Sequence, residues 1–288
     1  MASLRTIRRR IRSVKSISQV TKAMEMVSAS KMRRAQQRVR ASRPYADHLR
    51  RLIADLAVHP EHEGALHPLL EQRAIRKRVG FIVMTSDRGL CGALNSNVIR
   101  RATSEILEVG GPSTTELVTV GRRGQDFMLR RGIKLEATFT HMGDAPDILV
   151  VQPMARVIME EFVRGDIDAA YIVYPRFVNT LLQRITVDQL LPAVPAESAG
   201  PQLEFIFEPS APQLLAQLLP RYVEVQIYQA LLETIASEHS ARMIAMRNAT
   251  DNAKDLISSL TLSYNKARQA AITREITEIA IGSGALSR

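Results

Sequence analysis

The sequence predicts an α/β protein with long helices, in which the two ends of the chain pair as an antiparallel coiled coil and the middle forms an inserted α/β domain. Three observations predict it. All 13 prolines lie between Pro44 and Pro220, and every glycine except Gly282 and Gly284 lies between Gly64 and Gly200, so both ends lack the residues that interrupt helices. At both ends apolar residues recur at spacings of three and four, the mark of one helix winding on another. Between them, short apolar runs alternate with amphipathic stretches, the pattern of strands and helices in turn.

The amino-terminal helix is predicted over 1–57. Its seam reads Leu4, Ile7, Ile11, Val14, Ile17, Val20, Met24 and Val27, and softens at Ser18 and Thr21. In the middle, Val79 to Thr85 reads as a strand, followed by a turn and a helix from about Ala93 to Val109. A second strand is predicted over Leu117 to Val120, a short helix near Gln125 to Arg130 and an edge strand near Leu135 to Thr140. A helix from about Pro153 to Val163 leads into a strand over Ala170 to Tyr174, and a last strand runs from Gln183 to Asp188. This is a Rossmann-like α/β domain over 76–192 with a mainly parallel sheet. The proline-rich stretch after it reads as a return linker over 193–212.

The carboxy-terminal helix is predicted over 213–288, with 221–281 free of breakers. At 1.5 Å per residue those 61 positions span about 90 Å, far beyond an ordinary three-turn helix, so the helix needs a partner. Its seam reads Ile227, Leu231, Ile235, Met243, Met246, Ala249, Ala253, Leu256, Leu260 and Tyr264, softening from Glu238 to Arg242. A bundle in which further helices cover both ends is the alternative, but the breaker-rich middle offers few helices of matching length.

The net charge of +10 is not evenly spread. Residues 1–57 hold 15 Lys and Arg against Glu25, Asp47 and Asp55, while the rest is close to neutral. No apolar run is long enough for a signal peptide or a membrane span. A single cysteine, Cys91, offers neither an internal disulfide nor a thiolate cage.

Four features invite a site. The turn Thr85 to Gly92 follows a strand and opens a helix, where a phosphate sits in nucleotide-binding folds. It has neither a Walker lysine nor the three-glycine pattern, and reads as a tight turn with no nucleotide. His48, His59, His62 and His67, with Glu61 and Glu63, fit no regular metal spacing and read as solvated loop residues. Glu160 and Glu161 point about 100° apart on a helix and read as surface charges. The cations Arg8, Arg9, Arg10, Arg12, Lys15, Lys22, Lys31, Arg33 and Arg34 could meet phosphates, so a basic coiled-coil nucleic-acid-binding protein is the rival reading. They are interleaved with the seam and lack a reading motif or stacking aromatics; acidic protein loops would satisfy the same face. No catalytic, cofactor-binding or metal-ligating residue is assigned.

Three strings carry a resemblance: Ile17-Ser-Gln-Val-Thr-Lys-Ala-Met-Glu-Met-Val-Ser-Ala-Ser-Lys-Met-Arg33, Ser86-Asp-Arg-Gly-Leu-Cys-Gly-Ala-Leu-Asn-Ser-Asn97, and Tyr264-Asn-Lys-Ala-Arg-Gln-Ala-Ala-Ile-Thr-Arg-Glu-Ile-Thr-Glu-Ile279. Together, in this order and from end to end, they resemble the gamma subunit of F-type ATP synthases. The resemblance implies a coiled coil with an α/β foot, standing inside a ring of three alpha and three beta subunits. The foot, with an epsilon subunit, would rest on a membrane ring of c subunits. Proton flow would turn the shaft, and the shaft would drive the beta subunits through their conformations. The chain itself would be non-catalytic, peripheral to the cytoplasmic face of a bacterial plasma membrane.

By the same resemblance, Met24 lies where the amino helix meets Arg242 and an acidic beta loop. Arg268 and Gln269 match the pair that contacts a beta-subunit catch loop, and Thr277 and Glu278 fall in a terminal segment linked to energy coupling. Arg274 stands where some relatives have glutamine. The segment from Ile276 to Leu286 is mostly uncharged, as an apolar bearing would require.

Overall fold

The computed structural model describes residues 4–57, 67–73, 76–193 and 210–286. The predicted return linker falls almost wholly outside them, as do His59, Glu61, His62 and Glu63. Two very long helices bracket the chain: α1 is Leu4–Ala57 and α5 is Ala211–Leu286. Each carries one proline inside it, Pro44 in α1 and Pro220 in α5. A proline removes one backbone donor and crowds the preceding turn, so the surrounding helix must outweigh that loss; in α5 residues 222 and 223, just beyond the proline, are buried. The chain divides into two compact units, Met1–Val27 with Met243–Arg288, and Ser28–Arg242.

In the first unit α1 and α5 run antiparallel. The hydroxyls of Thr21 and Thr250 lie 2.7 Å apart, and Arg247 Nε donates to Glu25 Oε1 at 3.1 Å; the partner's number falls as the other's rises. The packed positions differ from those the apolar pattern suggested. On α1 the seam passes through Leu4, Ile7, Ile11, Val14, Ser18, Thr21 and Glu25, whereas Ile17, Val20 and Val27 are each more than half exposed. On α5 it passes through Met243, Met246, Thr250, Ala253, Ile257, Leu260 and Tyr264, leaving Leu256 48% exposed. Both seams keep a strict alternation of three- and four-residue steps, which is what holds two helices in contact along their length. Following only apolar residues takes three-residue steps in succession, three from Ile11 to Val20 and two from Met243 to Ala249, and slides one position off the stripe.

The polar residues this buries are satisfied. Glu25 accepts from Lys22 Nζ at 3.1 Å as well as from Arg247. Burial by itself would raise its carboxyl, but the hydrogen bonds from Lys22 and Arg247 outweigh burial and hold it below its ordinary range.

The second unit is built around a five-stranded sheet in the order β3-β2-β1-β4-β5. Strand β1 is Val79–Met84, β2 Thr115–Val120, β3 Ala137–Phe139, β4 Ala169–Phe177 and β5 Gln183–Leu191. The first four are parallel, and β5 runs antiparallel to β4. Helix α2, Leu94–Glu108, links β1 to β2; α3, Arg122–Arg130, links β2 to β3; and α4, Gln152–Arg164, precedes β4.

Every residue of β1 is buried, as expected of a central strand covered on both faces. Its side chains alternate between two cores. Phe81 and Val83 join Val98, Ala102 and Ile106 of α2 and Met128 of α3. Ile82 and Met84 join Met154, Ile158 and Phe162 of α4, together with Ala35, Val39, Leu49 and Ile53 of α1 and the stretch Tyr222 to Ala236 of α5. The second core explains why α5 is buried nearly all round from Ala230 to Ser237: sheet and α1 both pack on it.

Candidate functional site

The turn after β1 is held by its own side chains. Ser86 N donates to Asn95 Oδ1 at 3.0 Å, Ser86 Oγ donates to Arg88 O at 2.6 Å, and Asn95 Nδ2 donates to Ser86 Oγ at 2.8 Å. Thr85 Oγ1 accepts from Gly124 N at 2.8 Å. Asp87 accepts from Arg122 N, at the start of α3, at 3.1 Å and from His141 N at 2.9 Å. A carboxylate of the chain therefore occupies a helix N-terminus where an anion would otherwise be held. Gly121 is obligatory here: its φ is +89°, and a Cβ would lie 2.1 Å from Thr85 O.

In open α/β sheets, ligands bind beyond the carboxyl ends of the strands, where the strand order reverses; here that point lies between β1 and β4. It is covered by α5. Thr234 Oγ1 approaches Met84 Sδ at 3.8 Å, Ser237 Oγ donates to Pro175 O at 2.8 Å, and Ser240 Oγ donates to Thr180 O at 2.7 Å. The crevice that would hold a nucleotide is thus filled by the chain's own helix.

One turn further, α5 carries a connected polar cluster. Arg242 is buried, 8% exposed. Its guanidinium donates to Glu238 Oε1 at 2.5 Å and to Gly89 O, at 3.2 Å from Nη2, on the turn after β1. His239 lies beside it, with Nε2 3.0 Å from Asp144 Oδ1. Asp144 in turn accepts from Lys31 Nζ of α1 at 2.7 Å. Burial pushes the Glu238 carboxyl up, against the pull of Arg242. Burial likewise pushes His239 down, with Asp144 opposing and Arg242 assisting. Asp144 is held low: its partial burial is outweighed by Lys31 and His239. The resemblance singled out Arg242, but Lys31 as an ion-pair partner, Asp144, Glu238 and His239 were missed. The available signal was the softening from Glu238 to Arg242, four polar positions in five that interrupt the apolar seam of α5.

The remaining sequence-predicted positions are spread along the helices. Met24 is partly buried in the first unit and Arg242 belongs to the second. Arg268, Gln269, Thr277 and Glu278 are exposed on α5; Thr277 Oγ1 donates to Thr273 O at 2.8 Å, a bond within the helix. His48 is exposed on α1, and His67 Nδ1 accepts from Leu69 N at 3.2 Å, capping a short 3-10 turn. Among the described residues no cluster of His, Cys, Asp or Glu could hold a metal ion. Of the α1 cations, Lys22 pairs with Glu25 and Lys31 with Asp144, while Arg8, Arg9, Arg10, Arg33 and Arg34 are exposed.

One reading needs correction. Glu160 is exposed, but Glu161 is only 3% exposed, because it continues the stripe Met154, Ile158 and Phe162 that α4 turns toward the sheet.

A family model described as ATP synthase matches residues 3–286. An ATP synthase gamma chain of Chloroflexus aurantiacus is 52% identical over 289 residues, and one of Dehalococcoides mccartyi 49% identical over 288, each covering 100% of both chains. Among solved structures, a chain of the Euglena gracilis mitochondrial ATP synthase, in an assembly of OSCP, F1 and c-ring, matches with a TM-score of 0.69 at 22% identity, over 98% of this chain and 94% of that one. A chain of the Tetrahymena thermophila mitochondrial ATP synthase central stalk and c-ring gives 0.63 at 23%, over 80% and 99%. With half its residues shared along its whole length with such chains, and with the same fold, this protein belongs to the gamma-chain family of ATP synthase.

Proposed function

We propose that the chain is the central rotor shaft of an F-type ATP synthase, coupling proton flow through a c-ring to ATP synthesis or hydrolysis at the beta subunits. The observation that carries this is the end-to-end likeness to ATP synthase gamma chains at about half identity. The solved relatives are named for a central stalk, F1 and a c-ring; the partners in this reading are three alpha and three beta subunits, an epsilon subunit and the c-ring. In this reading 1–57 and 213–288 are the shaft, 76–192 is the foot and 193–212 the return between them. No helix among the described residues is long and apolar enough to cross a membrane, which suits a subunit peripheral to the cytoplasmic face of a bacterial plasma membrane.

The shaft acts without chemistry of its own. Each beta conformation is favoured by a different face of the shaft, so turning it redistributes binding energy among three sites. Arg268, Gln269 and Glu278 support a contact role: they are exposed and their side chains have no hydrogen-bond or ion-pair partner among the described residues. Screened charge pairs of this kind contribute little individually, so a rotating interface made from them does not trap one angle. Met24, Arg242 and Thr277 complete the proposed coupling set, Arg242 acting through its hold on the turn after β1.

Co-expression with alpha and beta subunits tests the reading. The expected product contains one copy of this chain for three of each partner and hydrolyses ATP well above the mixture lacking it. A chain that stays alone, or a complex whose ATPase is indifferent to it, would overturn the reading.

A further inference from the structure

A cleft of about 420 Å³ opens in the second unit, between β4 and β5 on one side and α1 and α5 on the other. Its lining combines the buried apolar residues Ile172, Leu190, Tyr222, Val225 and Ala230 with polar ones, Arg50, Asp188 and Gln226 among them. At one end lies Glu233, whose side chain is 5% exposed. Oε1 of this carboxylate accepts from Gln229 Nε2 at 3.3 Å and has Arg43 Nη2 at 3.5 Å. Oε2 is buried without a hydrogen bond among the described residues; Arg176 Nε stands 3.8 Å away, beyond hydrogen-bond reach.

Arg176 is committed elsewhere. It donates from Nη2 to Asp188 Oδ2 at 3.2 Å and from both Nη2 and Nε to the Tyr174 hydroxyl at 3.1 and 3.3 Å. Tyr174 Oη donates to Asp188 Oδ2 at 2.8 Å, and burial, followed by the negative charge of Asp188, pushes the phenol's pKa up. The three groups satisfy one another, and on the same lining Glu233 Oε2 is a buried carboxylate oxygen without a hydrogen bond among the described residues. A buried carboxylate oxygen without a donor is costly. What it lacks is a hydrogen-bonding N–H, and the same cleft carries, beside its polar groups, apolar wall and volume enough for a small organic body.

We propose that this cleft binds an amphipathic primary amine, with the ammonium on Glu233 Oε2 and the apolar body against Ile172, Leu190, Tyr222 and Val225. The proposal stands on the cleft's geometry and is independent of the rotor reading. It also implies a route by which a small molecule would brace α5 against the sheet.

The test uses the full chain with 13C-labelled isoleucine, leucine and valine methyls, titrated with 4-phenylbutylamine and, as a neutral isostere, 4-phenylbutanol. The expected result is saturable shifts at Ile172, Leu190 and Val225 for the amine, with the alcohol binding at least about tenfold more weakly. Glu233→Gln should weaken the amine by a similar factor and leave the alcohol unchanged. Should that variant fail to fold, Ala46→Phe, which narrows the cleft without touching the carboxylate, should abolish both. Equal binding of amine and alcohol, shifts at other methyls, or no saturation at millimolar concentration would overturn the proposal; the last would mean that water alone serves Glu233.

Discussion

Glu161 illustrates what single residues contribute and cost. It lies on the buried face of α4, Oε2 has no hydrogen bond among the described residues, and its pKa is raised from 4.5 to about 7, chiefly by burial and then by repulsion from Glu136 and Glu116. A carboxyl whose folded pKa exceeds its unfolded value favours the folded state fully below about pH 4.5. That contribution is lost as pH rises through about 7, because the folded protein must then give up a proton it holds. Glu161→Gln is therefore expected to match the parent near pH 4.5 and to exceed it by about 2 kcal/mol near pH 8, in urea unfolding across that range. A difference that does not change with pH would show the carboxylate to be solvated when ionised. The residue's burial was legible in principle, since 154, 158 and 161 share a helix face. Pairing it with Glu160 as two like charges drew attention away from that stripe. Arg242 differs: its importance was read by resemblance, but its partners, Gly89 O and Glu238, come from distant and neighbouring positions that only the fold brings together.

At the scale of elements, the strands and helices of the middle were legible because their apolar runs are short and their breakers strong; β1 is predicted over Val79 to Thr85 and observed at Val79–Met84. The edge strands were less so. β3 is only Ala137–Phe139, paired with β2 at three positions, and β5 runs on to Leu191, where its last residues are held by the core of α5. The seams were misread by one position because in each helix a threonine takes a place that apolar spacing gave to a neighbour. Thr21 and Thr250 face each other, while Thr21 Oγ1 also donates to Ser18 O at 3.1 Å and Thr250 Oγ1 to Met246 O at 2.8 Å. Three contacts share two protons, so at any moment two of them are hydrogen bonds: when one hydroxyl donates across the pair, the other donates to its own carbonyl. Thr21→Val alone should cost about 1 kcal/mol by removing one side of a buried hydrogen bond. Adding Thr250→Val should recover most of that loss, because two valines pack where two hydroxyls met. Additive losses in a double-mutant cycle of thermal or urea unfolding would show that the hydroxyls act separately.

For the whole molecule, α5 passes through three environments without a break in its hydrogen bonding. From Ala230 to Ser237 it is buried nearly all round, from Met243 to Tyr264 it packs along one stripe, and from Arg268 to Ile279 it is exposed on every side. Helical propensity alone supports a segment of the last kind poorly in water, and Ile272, Ile276 and Ile279 are apolar side chains left 47%, 62% and 67% exposed. Amide exchange follows the free energy of local opening. In the isolated chain, protection should therefore fall in the order of these three segments, with the third exchanging at least about a hundredfold faster than the first. If the third segment is the end of a shaft seated in a bearing of alpha and beta subunits, assembly should protect it selectively. The first segment, already closed by its own sheet, should change little. Protection of the tail in the isolated chain would mean that it is stable without partners and that its exposed isoleucines need no bearing. A tail that stays unprotected in the assembled complex would remove the contact from Arg268, Gln269 and Glu278 and leave the coupling to positions nearer the foot.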